Sequence, residues 1–265
     1  MDSNFRRWNM ENGKPKYTFL DGATEKDLLK RLKEAYGAKV GKHGWISAGN
    51  ENRVEILKRP AQGGEKPCDT FKGTTEVNAP ALYALMFIHS FAHRYEWDEM
   101  YVKGEDLEVF DHLLTKVSMT ELKPVWPASG RDMCNFIILR ELDEGVYCQA
   151  YEGVECAKYP ERKGLVRAEI LLGGFVIKEL SADPPKCQVS YITRVDLKGY
   201  FPAAFLNRVT MSQPKAVAKV REKVEAQYKK DLAAKEGDKS ILVEQAIYVE
   251  KEFKRVKEAK LQGSS

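Results

Sequence analysis

LVRAEI at positions 165–170, SYITRVDLKGYFP at 190–202 and an amphipathic pattern continuing past Arg221 form the stretch that decides the fold. The middle piece is rich in β-branched and aromatic residues and reads as a strand. It ends in Asp196-Leu197-Lys198-Gly199 and turns at Pro202, a residue suited to the first position of a helix. From there Leu206, Val209, Gln213, Val217, Val220, Val224 and Tyr228 recur at spacings of three and four, a one-sided apolar stripe. Pro214 lacks the amide donor for the preceding turn, which predicts a kink.

Upstream, short strands are expected at 107–110, 115–122, 133–142, 146–156, 165–180 (bent at Gly173-Gly174) and 187–195. Their breakers are Asp111-His112, the loop 124–130, Asp143-Glu144-Gly145, the segment 159–164 and Asp183-Pro184-Pro185. Short turns between consecutive strands imply antiparallel pairing, because parallel pairs need a longer crossover. Nearer the N-terminus, Thr24 can cap a helix to Tyr36 with Leu28, Leu29, Leu32 and Tyr36 on one face. Strands at 53–58 and 69–77 follow, and Pro80 opens a strongly apolar helix to about His93. Strands followed by a long helix place the fold in the α+β class. After Gly237 a second amphipathic helix is expected, with Leu242, Ala246, Val249, Phe253 and Val256 on one face. Packing on the body is the simplest role for that stripe; contact with a second copy, a membrane or a protein partner is the sharper alternative. The expected organisation is a polar arm at 1–22, a main domain at 23–232 and an extra helix at 238–260.

The composition excludes several classes. A hydrophobic share of 43% beside 31% charged residues suits a globular protein with a real core. The longest apolar run starts at Ala81 and is broken by His89 and Ser90, well short of the roughly 20 residues that span a bilayer. The first residues carry basic groups with no apolar segment behind them, unlike a secretory signal. Five cysteines without a CxxC read as reduced thiols of a cytoplasmic protein. The net charge of +4 is matched by residues 214–262, which hold thirteen Lys and Arg against nine Asp and Glu. That basic balance suits an anionic membrane surface or an ordinary solvated helix face.

Enzymatic signatures fail. GxSxG, the P-loop and GxGxxG are absent, and Gly173-Gly174 sits in strand-like sequence. His89 and His93 stand four apart, but two imidazoles without a third ligand make no metal site. Cys134, Cys148 and Cys156 fall in strands, where a cysteine is usually a small core residue. The basic helix lacks the interleaved aromatics of a nucleic-acid surface. No catalytic residue, metal or cofactor is expected.

Taken with Trp97-Asp98 and with Trp126-Pro127-Ala128-Ser129-Gly130-Arg131-Asp132, the order of these motifs over about 25–230 resembles the START family of lipid transfer domains. The resemblance implies a helix-grip fold, in which a curved antiparallel sheet wraps a long C-terminal helix and encloses a tunnel for one lipid. It implies non-enzymatic binding and transfer of one ceramide, sterol or phospholipid between membranes, by a cytoplasmic protein in transient contact with them. A lipid sensor that docks a protein through the tail after Gly237, and a helix-grip enzyme acting on a hydrophobic substrate, are the rival readings.

The family's phosphatidylcholine carriers place an arginine six positions after the arginine of the Arg-Asp pair, and this chain has Ile137 there. The ceramide-carrying member shares the stretch from Trp126 to Ser129. Its headgroup ligands fall on Asp98, Gln149 and Tyr191, with Thr120 a shorter group at a fourth position. The lipid-binding residues implied are therefore Asp98, Thr120, Asn135, Ile137, Gln149 and Tyr191. Membrane contact and gating fall to Trp126, Leu142, Tyr200 and Phe201, with Val217 and Val220 on the movable helix. Arg167 and Glu169 read as a same-face charge pair on one strand.

Overall fold

Strands that are apolar on both faces need cover on both sides, and this chain supplies it with helices before, within and after a single sheet. The computed structural model describes residues 10–11, 14–15, 23–110, 114–126, 128–156, 159–199 and 203–262. The helices are α1 (Ala23–Tyr36), α2 (Ala81–His89), α3 (Phe91–Trp97), α4 (Ala203–Ala233) and α5 (Ile241–Gln262). The strands of the sheet are β3 (Ile46–Glu51), β4 (Val54–Arg59), β5 (Thr70–Val77), β6 (Tyr101–Phe110), β7 (Thr115–Leu122), β8 (Gly130–Asp143), β9 (Val146–Gly153), β10 (Leu165–Arg167), β11 (Glu169–Ala182) and β12 (Pro185–Asp196). A two-residue ladder of β1 (Met10–Glu11) and β2 (Lys14–Pro15) stands apart. The sheet order is β3-β4-β5-β12-β11-β9-β8-β7-β6, antiparallel throughout, with β10 added in parallel beside β8.

Side chains alternate between the two faces with the period of two that a strand imposes. Cys134, Phe136 and Ile138 of β8 join Cys148, Ala150, Val176 and Ile192 under Leu28 and Leu32 of α1, on the outer face. Met133, Ile137 and Leu139 join Tyr151, Phe175 and Tyr191 on the inner face, with α2, α4 and α5. The helix α4 crosses β4, β5 and β12, and Val217 and Val220 are fully buried there. Arg221 of the same helix donates to the Asn52 carbonyl at 2.9 Å and to Thr75 Oγ1 at 3.0 Å, fixing the β3–β4 turn to it.

Where α4 meets β5, a glycine is required. A Cβ on Gly73 would stand 2.9 Å from the Pro214 carbonyl carbon and closer still to its oxygen. The helix continues through Pro214, which marks a place of close backbone approach between α4 and β5.

Beyond α4, the chain folds back. Asp231 accepts hydrogen bonds from Tyr83 at 2.5 Å and from the Ser240 amide at 2.9 Å, joining α4 to α2 and to the start of α5. Leu242, Val249 and Phe253 are buried against the inner-face cluster, with Ala246 and Val256 partly buried beside them. The stripe of α5 thus lies on the body.

Several expectations need correction. The apolar helix from Pro80 is two helices, because Ser90 adopts an extended backbone (φ −76, ψ 120) between them. The strand expected over 165–180 is divided at Ala168 into β10 and β11, and Gly173 and Gly174 stand in the ladder opposite Thr193 and Ile192. β3 was not anticipated, since its residues are mostly exposed and polar. Arg167 pairs with Asp132 at 2.9 Å and Glu169 with Lys66 and Lys198, so these two are not a mutual charge pair.

Candidate lipid-binding cavity

The inner face leaves room beneath α2 and α3. Gly173 has no side chain, and a Cβ there would collide with the Tyr151 ring. Tyr151 therefore lies across it and brings its hydroxyl 3.3 Å from that of Tyr191. Above this floor is a cavity of about 360 Å³. Ile88, Met100, Leu122, Met133, Ile170, Phe175 and Leu197 supply much of its apolar wall. Trp97 meets Phe175 edge-on at 5.8 Å, which packs α3 onto the sheet beside the cavity.

Asp98, Thr120, Asn135, Ile137, Gln149 and Tyr191 all stand on the wall of this one cavity. Their surroundings differ. Asp98, 4% exposed, accepts from Arg94 Nε and Nη2 on Oδ2, both at 3.1 Å, and from the Met100 amide on Oδ1 at 3.1 Å. The pair is spaced four residues apart along α3, a separation that brings side chains together. Burial works against the Arg94 guanidinium, yet Asp98, Tyr151 and Tyr191 hold its pKa above the ordinary arginine value. Burial pushes the hydroxyl pKa values of Tyr151 and Tyr191 up, so both remain neutral donors. Asn135 Oδ1, Gln149 Oε1, Thr193 Oγ1 and Trp97 Nε1 are buried without a protein partner. Such atoms cost free energy unless a ligand or water satisfies them.

The rim is tied by charged side chains. Arg131 donates to the Leu197 carbonyl at 3.2 Å, to the Lys198 carbonyl at 3.1 Å and to that of Ser129, joining the β7–β8 loop to the segment 196–199. Glu169 accepts from Lys198 at 2.8 Å and from Lys66 at 2.6 Å, and these lysines hold its pKa below the usual carboxylate value. Lys198 and Gly199 line the cavity, as do Pro67 and Cys68 from the β4–β5 connection. Trp126 is 89% exposed on the β7–β8 loop. Leu142 packs with the outer-face cluster, and Val217 and Val220 sit within the inner core. Tyr200 and Phe201 lie outside the described residues.

Arg94, Trp97, Tyr151 and Thr193 were missed as wall residues. The four-residue spacing of Arg94 and Asp98 was a readable signal; the other three depend on register and helix packing. Buried thiols are inert here, since burial pushes Cys148 and Cys187 up to about 12. His93 stacks on Phe87 and bonds Glu96 at 2.7 Å, while His89 is half-buried with its Nδ1 enclosed.

His89 gives an acid response with a definite sign. Burial, then Lys116, pushes its imidazole down to about 3, against a smaller opposing effect of Gln149. The unfolded chain binds this proton from its ordinary value of 6.5 downward, whereas the folded protein does not bind it until near 3. Stability is then complete above about pH 6.5 and falls with acidification, by roughly 1.4 kcal/mol per unit where only the unfolded state is protonated. Chemical denaturation of wild type and His89→Gln at several pH values between 7 and 4 checks this. The variant is expected to show a flatter pH profile, and parallel profiles refute the assignment.

The family model for the START domain matches residues 31–230. The chain belongs to the START domain family. START domains generally bind and transfer lipids, enclosing a single lipid in a tunnel. The Arabidopsis thaliana protein named ENHANCED DISEASE RESISTANCE 2-like is 26% identical over 82% of this chain and 32% of its own length. Human START domain-containing protein 10 is 32% identical over 55% of this chain and 48% of its own length. The chain thus spans half or less of these two relatives. The solved structure of human StAR-related lipid transfer protein 5 superposes with a TM-score of 0.65 at 20% identity, covering 79% of this chain and 97% of that one. The architecture is the helix-grip START fold. Among the described residues, no helix is long and apolar enough to cross a membrane.

Proposed function

We propose that this START domain carries one lipid at a time between membranes, without changing it covalently. The observation that supports this most is the combination of apolar wall and unpartnered polar atoms in one buried cavity. An acyl or ring system gains about 25 cal/mol for each Å² of apolar surface taken from water. A few polar groups then orient the headgroup, as in other largely apolar pockets. Thr120, Asn135, Gln149 and Tyr191 are the proposed headgroup contacts, with Asp98 acting alongside Arg94, and Ile137 as apolar wall. A carrier suits the polar chemistry of the wall better than an enzyme does, because Arg94 and Asp98 are engaged with each other.

Loading requires the rim to open at a membrane. Trp126 is the proposed membrane contact, since tryptophan settles at the bilayer interface. Tyr200 and Phe201 are proposed to act with it, and the protein to work in the cytoplasm with transient membrane contact.

Donor and acceptor vesicles carrying labelled lipids test the reading. A carrier accelerates exchange, whereas a sensor binds lipid and leaves the exchange rate unchanged. Trp126→Ala is expected to slow transfer by about tenfold, the effect of losing on the order of 1–2 kcal/mol of interfacial contact. Retained lipid with an unaltered transfer rate would remove Trp126 from the contact.

A further inference from the structure

Helix α2 is buried nearly all round, from Ala81 to Ile88 with Leu82 partly exposed. A helix of that kind needs cover on every side. Strands β9 and β11 cover one side of it, and α5 packs against it as well. The family match ends at residue 230, so α5, from Ile241 onward, lies outside it. Ile88 brings the end of α2 to the cavity wall, little more than one turn beyond Tyr83.

The two helices meet at a buried carboxylate. Asp231, in the last turn of α4, accepts on Oδ2 from the hydroxyls of Tyr83 and Ser240, both at 2.5 Å. Its Oδ1 accepts from the Ser240 amide at 2.9 Å and from Gln227 Nε2 at 3.3 Å. Burial opposes the charge, yet the bonds from Ser240 and Tyr83 hold its pKa below the ordinary aspartate value. Burial and Asp231 together push the Tyr83 hydroxyl up, so it stays protonated and donates. A serine just before a helix usually turns its oxygen to that helix's own amides. Ser240, directly before α5, gives its hydroxyl proton to Asp231. One carboxylate thus joins α2 to both α4 and α5, and Tyr83 meets Tyr228 of α4 edge-on at 5.0 Å beside it.

We propose that Asp231 is a positioning residue for lipid exchange: by clasping α2 to the start of α5 it holds down the cavity roof and sets how fast a lipid enters and leaves. This rests on the carrier reading of the same cavity. A lipid passes only when some wall gives way. Strands β8, β9, β11 and β12 are each hydrogen-bonded to neighbours on both sides, so they yield last. Helix α2 is nine residues long and belongs to no ladder; side chains hold it, those of the clasp among them. Among the described residues, the cavity wall does not include Tyr83, Asp231 or Ser240. The clasp therefore acts on the barrier to passage and not on contacts with the bound lipid. Entry and exit should change together, leaving affinity as it was.

The test separates rate from affinity. Ser240→Ala and Tyr83→Phe each remove one hydroxyl from Asp231 Oδ2 and keep the surrounding packing. The full chain, as wild type and as each variant, is mixed with phosphatidylcholine vesicles carrying radiolabelled ceramide, sterol or phosphatidylcholine in turn. Transfer rate and equilibrium loading are measured, and deuterium uptake is followed along α2. Each variant is expected to transfer about tenfold faster at unchanged loading, the size of one hydrogen bond to a charged group. Uptake should quicken in α2 and stay as it was in β8 and β9. Val176→Ala, in the outer-face cluster, lowers stability without touching the clasp, and its transfer rate should match wild type.

Folded variants that transfer at the wild-type rate overturn the inference. An equal acceleration by Val176→Ala overturns it too, because lost stability alone would then explain the effect. If one variant does not fold, the other decides. Should neither fold, deuterium uptake of wild type decides: an α2 that opens no faster than β8 and β9 is contrary to a movable roof. Wild type that carries none of the three lipids counts against the carrier reading itself.

Discussion

Met133→Trp combined with Ile137→Trp is expected to empty the domain of lipid while leaving it folded. The two residues lie four apart on β8, an even spacing that points both to the inner face, and both line the cavity. Two indole rings would occupy the space proposed for the ligand. Overpacking a filled core typically costs about 1–3 kcal/mol, and less where the new atoms enter an existing void. Thermal unfolding should therefore shift by only a few degrees, at about 2–4 °C per kcal/mol for a domain near this size. Bound lipid should vanish from the purified protein, and vesicle transfer should fall by at least about tenfold, toward the uncatalysed rate. A folded double variant that still carries lipid would mean the ligand lies elsewhere.

Gly73→Val is expected to be the more damaging change to stability. Its side chain would be driven into the Pro214 carbonyl, and both partners are backbone held by a strand and a helix. Neither can move aside as a flexible side chain does. A loss at or above the upper end of the 1–3 kcal/mol overpacking range follows, with a fall in Tm of roughly 6–12 °C. Gly63→Val is the matched control, because nothing lies within 4 Å of a Cβ there. Equal thermal stability of the two variants would refute the close docking of α4 on β5. The same contact bears on function: α4 covers β4, β5 and β12, so loosening it should also increase leakage of bound lipid.

The two faces of the sheet explain what the sequence could and could not reveal. β7 has the expected bounds, because its residues contrast sharply with the breakers around them. The α+β class and the long terminal helix were also legible, from the order of short strands and the stripe ending at Tyr228. Ser90 was read as interrupting the apolar run and not as ending the helix, because Phe91 and Ala92 restore apolar character directly after it. β3 escaped because an exposed edge strand with Gly49 and Asn50 carries no apolar alternation. For the cavity, alternation separates Asn135 and Ile137 from Phe136 but does not say which side holds the void, since both faces are buried. Tyr151 and Thr193 meet across Gly173 only through the register of three strands. The ionic partner of Asp98, in contrast, was one helical turn away in the sequence.

The tying of the rim by Arg131 and Glu169 gives the motif around Trp126 a second role. It holds the β7–β8 loop against the segment that leads into α4, so an exposed tryptophan is coupled to the mouth of the cavity. Movement of either loop at a membrane then requires these bonds to be exchanged for others.

Native mass spectrometry of the protein after incubation with lipid vesicles tests the central claim most directly. The account predicts a complex holding one lipid per chain, lost in the Met133→Trp/Ile137→Trp variant. A folded wild-type protein that takes up no lipid, or a lipid adduct that survives in that variant, would contradict it.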